Sequence, residues 1–530
     1  MNNLNIERKT IDRWIESAGK AGMIAGGEFE AAAAAAANTD AAELLYCDSV
    51  KQEEGAVFAL LKMQGVSRIG PAYSWDRVMG IFGRSGAFAG FEGEVVQLGD
   101  RAAALFAGLS HANAAGLRRA LPFTAPSPLA DRAITFGTGD RLGVAGPGHL
   151  RSMSGCKACP VLAQQSVREL ELTGRDYRQV LDASTWAVFQ EGYEQPWGAD
   201  GDHLKSEDWV RKALQIGFTR ITADVSDYIS REFAVCGDAE LTKAYEQLEA
   251  GYRRRIEEAY LSLKIEPDTG GTVSFSREIL ARTALIYGRG IEHALRLYRT
   301  GVEVKGEGGF DFELSVDETE TPTTPEAHVF VALEARQLGM QIGSLAPRFV
   351  GEFQKGIDYI GDLREFERTF AVHAAVARKY GHRISVHSGS DKFSVFPAVG
   401  ELSRGRYHIK TAGTFWLEAM KIIAVHEPRL YRRLHRAALE RFDKATSYYV
   451  VSTNLENVPE LGALKDGELP SLFDNPDSRQ LIHITYGELL RDRELGREFY
   501  EALHAHIEEY WEAVERHTDR HLKALGVKKG

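Results

Sequence analysis

The sequence predicts an α/β protein, a (β/α)8 TIM-like barrel with an N-terminal appendage, a helical insertion and a long C-terminal helix. Two observations carry this expectation. From about residue 130 onward, short strand-like runs alternate with amphipathic helix-like segments, the pattern of a parallel sheet wrapped in helices. Eight strand-like runs can be counted, the number that closes such a barrel.

Taken in order, residues 1–130 read as a mixed α/β appendage. Within it AAAAAAA (31–37) is expected to be helical, because alanine is the best helix former and Glu28, Glu30 and Asp40 flank it. PFTAPSPLADR (122–132) is the loop that leads into a barrel over 131–490. Its first strand is AITFGTGD (133–140), followed by a helix over PVLAQQSVRELELTG (160–174). EQPWGADGDHLK (194–205), the least strand-like of the set, and FTRITADVSD (218–227) come next, and residues 228–309 form an inserted helical excursion. FDFELSVDETE (310–320) and MQIGSLAPR (340–348) flank a helix at EAHVFVALEARQLG (326–339). A helix over REFERTFAVHAAVARKYG (364–381) leads to RISVHSGSD (383–391) and RYHIKTAG (406–413). The helix TFWLEAMKIIAVH (414–426) precedes the last strand, QLIHITYG (480–487). The tail, 491–530, contains one long amphipathic helix (497–525) expected to close the barrel or to support a homo-oligomer.

A chain of 530 residues with 44% hydrophobic and 26% charged residues can bury a large core. Lys and Arg number 64 against 75 Asp and Glu, a net charge of −11 without a basic run, so nucleic acid is not an expected partner. The start, MNNLNIERKTIDRWIES, lacks the pattern of a signal peptide, and no apolar run approaches a membrane span, so the expected location is the cytoplasm. Four cysteines do not make a disulfide framework, and Cys156 and Cys159, a CxxC without a second one, read as reduced thiols in a loop.

Chemistry enters through strand parity. Side chains alternate between the two faces of a strand. Ile384 and Val386 oppose Ser385 and His387; Tyr407 and Ile409 oppose His408 and Lys410; Ile482 and Ile484 oppose His483 and Thr485. Phe312, Leu314 and Val316 oppose Glu313, Ser315 and Asp317, while Ile221 and Ala223 oppose Arg220, Thr222 and Asp224. The apolar set suits the outer helices, so the polar set should point at the barrel axis, near the carboxyl ends where TIM-barrel enzymes carry their sites. Unpartnered burial of such groups costs kilocalories each, so a metal or a polar ligand is expected. A single inward histidine is more often hydrogen-bonded core than ligand, but several at one level suit a divalent Zn, Ni or Mn site. His203, in GADGDHLK, is the loop histidine placed to join His387 and His408, with His483 able to replace one of them. His504, His506, His517 and His521, on the terminal helix, should be solvated. Lys205, Arg348, Lys392 and Lys410 fall at or beyond strand ends and can bind a carboxylate or phosphate, or simply pair with Asp202, Asp224, Asp317, Glu318 or Glu320. No GxxxxGK[ST] loop occurs, and GTGDRLGVAGPGHL (137–150) does not fit a dinucleotide fingerprint.

FGTGDRLGVAGPGHLR, PVLAQQSVREL, ADGDHLK, SVDETETPTTPEAH, SLAPRFVGEFQKGIDYIGDL, VHSGSDKFSVFP and HIKTAGTFWLEA resemble the tagaturonate/fructuronate epimerases of bacterial hexuronate catabolism, over about residues 130–490. The resemblance implies a metal-dependent isomerase interconverting D-tagaturonate and D-fructuronate, with Zn, Mn, Ni or Co as the divalent cation. Some members of the family also convert D-fructose to D-tagatose, acting as tagatose 4-epimerases. The inverted carbon lies β to the ketone, so its hydrogen is not acidified by enolisation. Two routes are then open: retro-aldol opening and re-closure with metal assistance, or transient oxidation by a bound nicotinamide, which the missing dinucleotide motif disfavours. On this reading His203, His387 and His408 hold the metal. Asp140 or Asp224 pairs with Asp317 or Glu318 as acid and base, and Lys205, Arg348, Lys392 and Lys410 grip the uronate. Alternatives are an aldolase or sugar isomerase working through a metal or a Schiff base on Lys205 or Lys410, and a non-catalytic sugar-acid binding protein.

Overall fold

The computed structural model describes residues 45–53, 55–63, 70–83, 85–97, 103–267, 272–319 and 321–528. The alanine run at 31–37 lies outside the described residues. An antiparallel sheet comes first: β1 (Leu45–Glu53), β2 (Ala56–Lys62), β3 (Arg77–Gly83), β4 (Glu94–Gln97) and β5 (Ala103–Ala107), ordered β1-β2-β3-β5-β4. Central β3 is buried along its whole length. One side of the sheet, through Leu60, Met79, Ile81 and Leu105, shares an apolar core with Phe415, Met420, Phe499 and Trp511 from the C-terminal helices.

Eight parallel strands close the barrel: β6 (Ile134–Gly139), β7 (Cys159–Ser166), β8 (Gly198–Leu204), β9 (Arg220–Asp224), β12 (Asp311–Val316), β13 (Ser344–Pro347), β14 (Arg383–Val386) and β15 (Tyr407–Ala412). The ring closes where β15 pairs with β6. Seven of the strands fall where the sequence places them, and one does not. QLIHITYG is helical, belonging mainly to the helix Pro476–Ile484, where Asn475 caps the amide of Ser478 and Pro476 opens the first turn. The remaining strand is instead the first half of PVLAQQSVRELELTG. Ser166 and Glu169 form a capping box there, so the helix begins only at Val167 and the apolar run before it is free to pair with β6 and β8.

The stretch 228–309 is only partly an excursion. The helices Asp238–Glu246 and Ala250–Tyr260 and the small hairpin β10 (Lys264–Ile265) and β11 (Val273–Ser274) lie in it, but the helix Arg277–Lys305 packs on both Glu207–Ile216 and Pro325–Gln337 and so occupies the position of the barrel's own helix between β9 and β12. The tail is two helices, Arg493–Ala505 and Ile507–Ala524, broken at His506. The second packs along Gly146–Met153 on the outside of the barrel. Among the described residues no helix is long and apolar enough to cross a membrane.

Parity holds on β14: Ile384 and Val386 pack outward with Phe366, Phe370 and Leu522. The inward set is charged to a depth unusual for a barrel, and most of it is internally paired. Arg220 bridges Asp311 at 2.9 Å and Glu313 at 2.5 Å, Arg383 pairs with Asp311, and Lys410 sits 3.1 Å from Asp200 and 3.0 Å from Glu313. Ser344 donates to Glu313, and Thr222 to Asp200, so Asp200 and Glu313 are satisfied by protein groups, while both arginines share one oxygen of Asp311.

Candidate active site

The carboxyl ends of the strands open into a cavity of about 470 Å³ whose wall includes His203, Asp224, Asp317, Glu318, Lys355 and His387. A second cavity of about 440 Å³ continues past Asp317, Lys355 and His387 towards Arg348. Local backbone irregularities aim these side chains. The pairing of β8 with β9 shifts register between Gly201 and Leu204, and His203 inside that bulge adopts φ 51°. The bulge lets two successive residues, Asp202 and His203, both face the cavity. Beyond β14, Ser388 (φ 50°) and Asp391 (φ 59°) turn the chain sharply. Left-handed conformations in non-glycine residues are costly and concentrate at functional sites.

One imidazole or carboxylate atom from each of His203, Asp317 and His387 lies within 4.8 Å of the others. The two imidazole rings meet edge to face at 4.9 Å. His387 Nδ1 is 3.1 Å from Asp317 Oδ2 and its Nε2 2.7 Å from Glu313 Oε1. His203 Nδ1 lies 3.5 Å from Asp224 Oδ2 and is buried without a well-formed hydrogen bond. A second overlapping group, His203, Asp224 and Glu318, meets the same distance criterion. Burial alone pushes the His203 imidazole down, but the carboxylates of Asp202 and Asp224 outweigh it and raise its pKa to about 10. His387 is raised against burial in the same way, chiefly by Asp317. Burial pushes the Asp317 carboxyl up, and His387 reverses this and holds it well below the carboxylate range. Asp224, despite burial, is brought to about 2 by His203. The carboxylates thus demand positive charge between these two rings. A divalent cation could supply it through the lone pairs of the imidazoles and the carboxylate. Two imidazoles and a carboxylate with an open side fit such an ion.

Other sequence candidates are placed differently. His408, two residues deeper on β15 than Lys410, is fully buried with Nδ1 2.8 Å from Thr135 Oγ1, and burial keeps it neutral. It does not reach the group formed by His203 and His387, where Asp317 takes the third position. His483 is a buried helix residue packed against Gly356, not an inward strand residue. Asp140 accepts from the amides of Leu142, Gly143 and Ala145 at 2.8–2.9 Å and so shapes the loop after β6 rather than the cavity. Lys392 is buried and donates to the carbonyls of Gln354, Ile357 and Ser390. Lys410 is enclosed by Asp200, Asp202 and Glu313, which raise it against burial. Lys205 is 2.8 Å from Asp227, and Arg348 donates to the Thr319 carbonyl and approaches Glu352 at 3.6 Å. His517 and His521 are buried, not solvated: His517 Nε2 is 2.7 Å from Asp391 and its Nδ1 3.3 Å from Glu418, tying the terminal helix to the turn after β14.

Sequence reasoning passed over Asp202 and Lys355 as site residues. Asp202 was legible as an ion-pair partner for the cations at the strand ends, which it is for Lys410, but not as part of the cavity wall, since simple parity turns it away. Lys355 sits in a loop with no periodicity to mark it.

The chain matches the model of a family described as UxaE, tagaturonate epimerase, over residues 46–525. It is 43% identical over 418 residues to the tagaturonate/fructuronate epimerase of Thermotoga maritima, covering 78% of this chain and 85% of that protein. A glycerol-complexed crystal structure of the fructuronate-tagaturonate epimerase UxaE from Cohnella laeviribosi is 44% identical and superposes with a TM-score of 0.85, covering 92% of this chain and 97% of that one. A second, with two glycerols, gives a TM-score of 0.86 at 43% identity, covering 92% and 98%. With that extent of agreement in sequence and in fold, the chain belongs to the tagaturonate epimerase family.

Proposed function

We propose that this protein is a divalent-metal-dependent epimerase that interconverts D-tagaturonate and D-fructuronate by retro-aldol cleavage and re-closure at the carbon β to the ketone. The observation that carries the reading is the convergence of His203, Asp317 and His387 at the carboxyl mouth of the barrel. When bound there, a divalent cation supplies Lewis-acid polarisation of the substrate ketone. The chain's own groups do the rest. Glu313 holds His387 Nε2, leaving Nδ1 turned to Asp317 and the cavity. Asp224 and the exposed Glu318 are the acid/base pair, since Asp140 is committed to its loop. One takes the proton of the β-hydroxyl as the carbon–carbon bond opens. The aldehyde fragment rotates, and the other, which enters the cycle protonated, gives its proton to the aldehyde oxygen as the bond re-forms on the opposite face. Glu318, open to solvent, lets the pair reset. D-fructose and D-tagatose share the reacting carbons and are a second substrate pair for the same steps.

A Schiff base is less well supported, because it needs a neutral amine and Lys410 is held as a cation by three carboxylates. The test is to strip the protein of metal, restore Mn, Zn, Ni or Co singly, and follow D-fructuronate and D-fructose by NMR. Product should require metal and vanish in His387→Ala. Undiminished turnover after complete metal removal would overturn the metal, and tight binding without any product would mark a binding protein.

A further inference from the structure

The cavity is rich in carboxylates, yet a uronate is itself an anion, so something in the wall must receive its carboxylate. The cations first expected there are already engaged. Lys410 is surrounded by Asp200, Asp202 and Glu313; Lys205 by Ser226, Asp227 and Asp224. Arg348 is held by Thr319 and Glu352, and Lys392 is buried among carbonyls. Arg168 donates to the Tyr448 carbonyl at 3.2 Å and lies over the Tyr449 ring. Lys355, which like Arg168 lines both cavities, differs in that its ammonium has no hydrogen bond or ion pair with any of the described residues.

Its backbone, by contrast, is firmly held. Lys392 donates to the carbonyls of Gln354 (2.8 Å) and Ile357 (2.6 Å), Arg479 to that of Gly356 (2.8 Å), and Gln480 to that of Lys355 itself (3.2 Å). Three tethering side chains thus fix the backbone of a loop whose one cavity-facing ammonium is left without a partner. Pre-organisation of this kind lowers the ordering cost of binding. Burial also pulls Lys355 below the ordinary lysine value, with Glu169 and Asp202 opposing and Arg141 and Arg168 reinforcing it, so an added anion is the interaction the ammonium lacks.

We infer that Lys355 is the carboxylate-binding residue of the site and the determinant of preference for sugar acids over neutral ketohexoses. This rests on the epimerase reading for the identity of the ligand. Lys392, Arg479 and Gln480 are positioning residues for it.

The experiment compares wild type with Lys355→Met and Lys355→Arg, loaded with metal. Calorimetric affinities for D-fructuronate and D-fructose are measured beside steady-state rates. A charge-assisted contact predicts a loss of about 10-fold to 100-fold in uronate affinity and kcat/KM for Lys355→Met, through KM, with the loss on the neutral sugar at least about tenfold smaller. Lys355→Arg should restore most of the uronate affinity. Equal losses on acid and neutral sugar, or unchanged uronate affinity, would overturn the assignment. Absence of product with the wild type would instead count against the epimerase reading, while the affinities would still decide the role of Lys355.

Discussion

Replacing Lys410 by methionine removes a charge at the centre of the barrel while nearly conserving shape. The ammonium lies 3.1 Å from Asp200 and 3.0 Å from Glu313, contacts Asp202, and donates to Thr222 at 2.5 Å. At about 3 Å and an effective dielectric of about 20, each carboxylate supplies roughly 5 kcal/mol of gross attraction. Much of that offsets the desolvation of the charges, so the measurable quantity is the cost of stranding the carboxylates, about 3–5 kcal/mol. Equilibrium urea denaturation at pH 7, followed by tryptophan fluorescence, should show this loss in Lys410→Met. Adding Asp200→Asn should recover about 1–2 kcal/mol, because one uncompensated charge disappears with it. The loss should also shrink below about pH 5, where the stranded carboxylates bind protons in the variant. A destabilisation under about 1 kcal/mol, or a double variant no better than the single one, would refute the view that Lys410 neutralises the axis.

Asp140→Ala should lose about 1–3 kcal/mol by the same denaturation assay, since three backbone amides lose their acceptor, while turnover of D-fructuronate stays within about threefold. A much larger fall in kcat with little loss of stability would return Asp140 to the chemistry. His517→Gln tests the buried pairing with Asp391 and Glu418. Because the His517 pKa is raised on folding, against burial and by Asp391, its contribution is fully present below the unfolded histidine value of about 6.5 and is lost as pH rises through the folded one. Urea midpoints of wild type and variant should therefore converge as the pH rises above about 6.5; divergence with rising pH would contradict the assignment.

Much of the barrel could be read from alternation, because strands such as FTRITADVSD and FDFELSVDETE send polar and apolar residues to opposite faces. The exchange between QLIHITYG and PVLAQQS shows where alternation fails. A short apolar run fits strand or helix, and the arbiter is local chemistry at its ends. Asn475-Pro476 before one run and Ser166-x-x-Glu169 after the other both carried that information. The site was legible to the extent that strand ends fix it: His203, Asp224, Asp317 and His387 do line one cavity. His408 was misplaced in depth, since parity gives the face of a strand and not the level along it. Lys392 and Asp140 bind backbone groups that no pattern of side chains could forecast. Asp202 depended on a bulge, and Lys355 on loop tethers from residues as distant as Arg479 and Gln480.

The ionic interior of the barrel constrains how this chain can vary. In an apolar core, leucine and methionine exchange with little consequence for their neighbours. Here Arg220, Arg383 and Lys410 face Asp200, Asp202, Asp311 and Glu313 across strands far apart in sequence, so the fitness of each residue is conditional on the others. Mutational paths through these positions should be narrow, with changes arriving as compensating sets. A library built one site at a time would find the axis immovable, whereas recombination of whole strands could shift it.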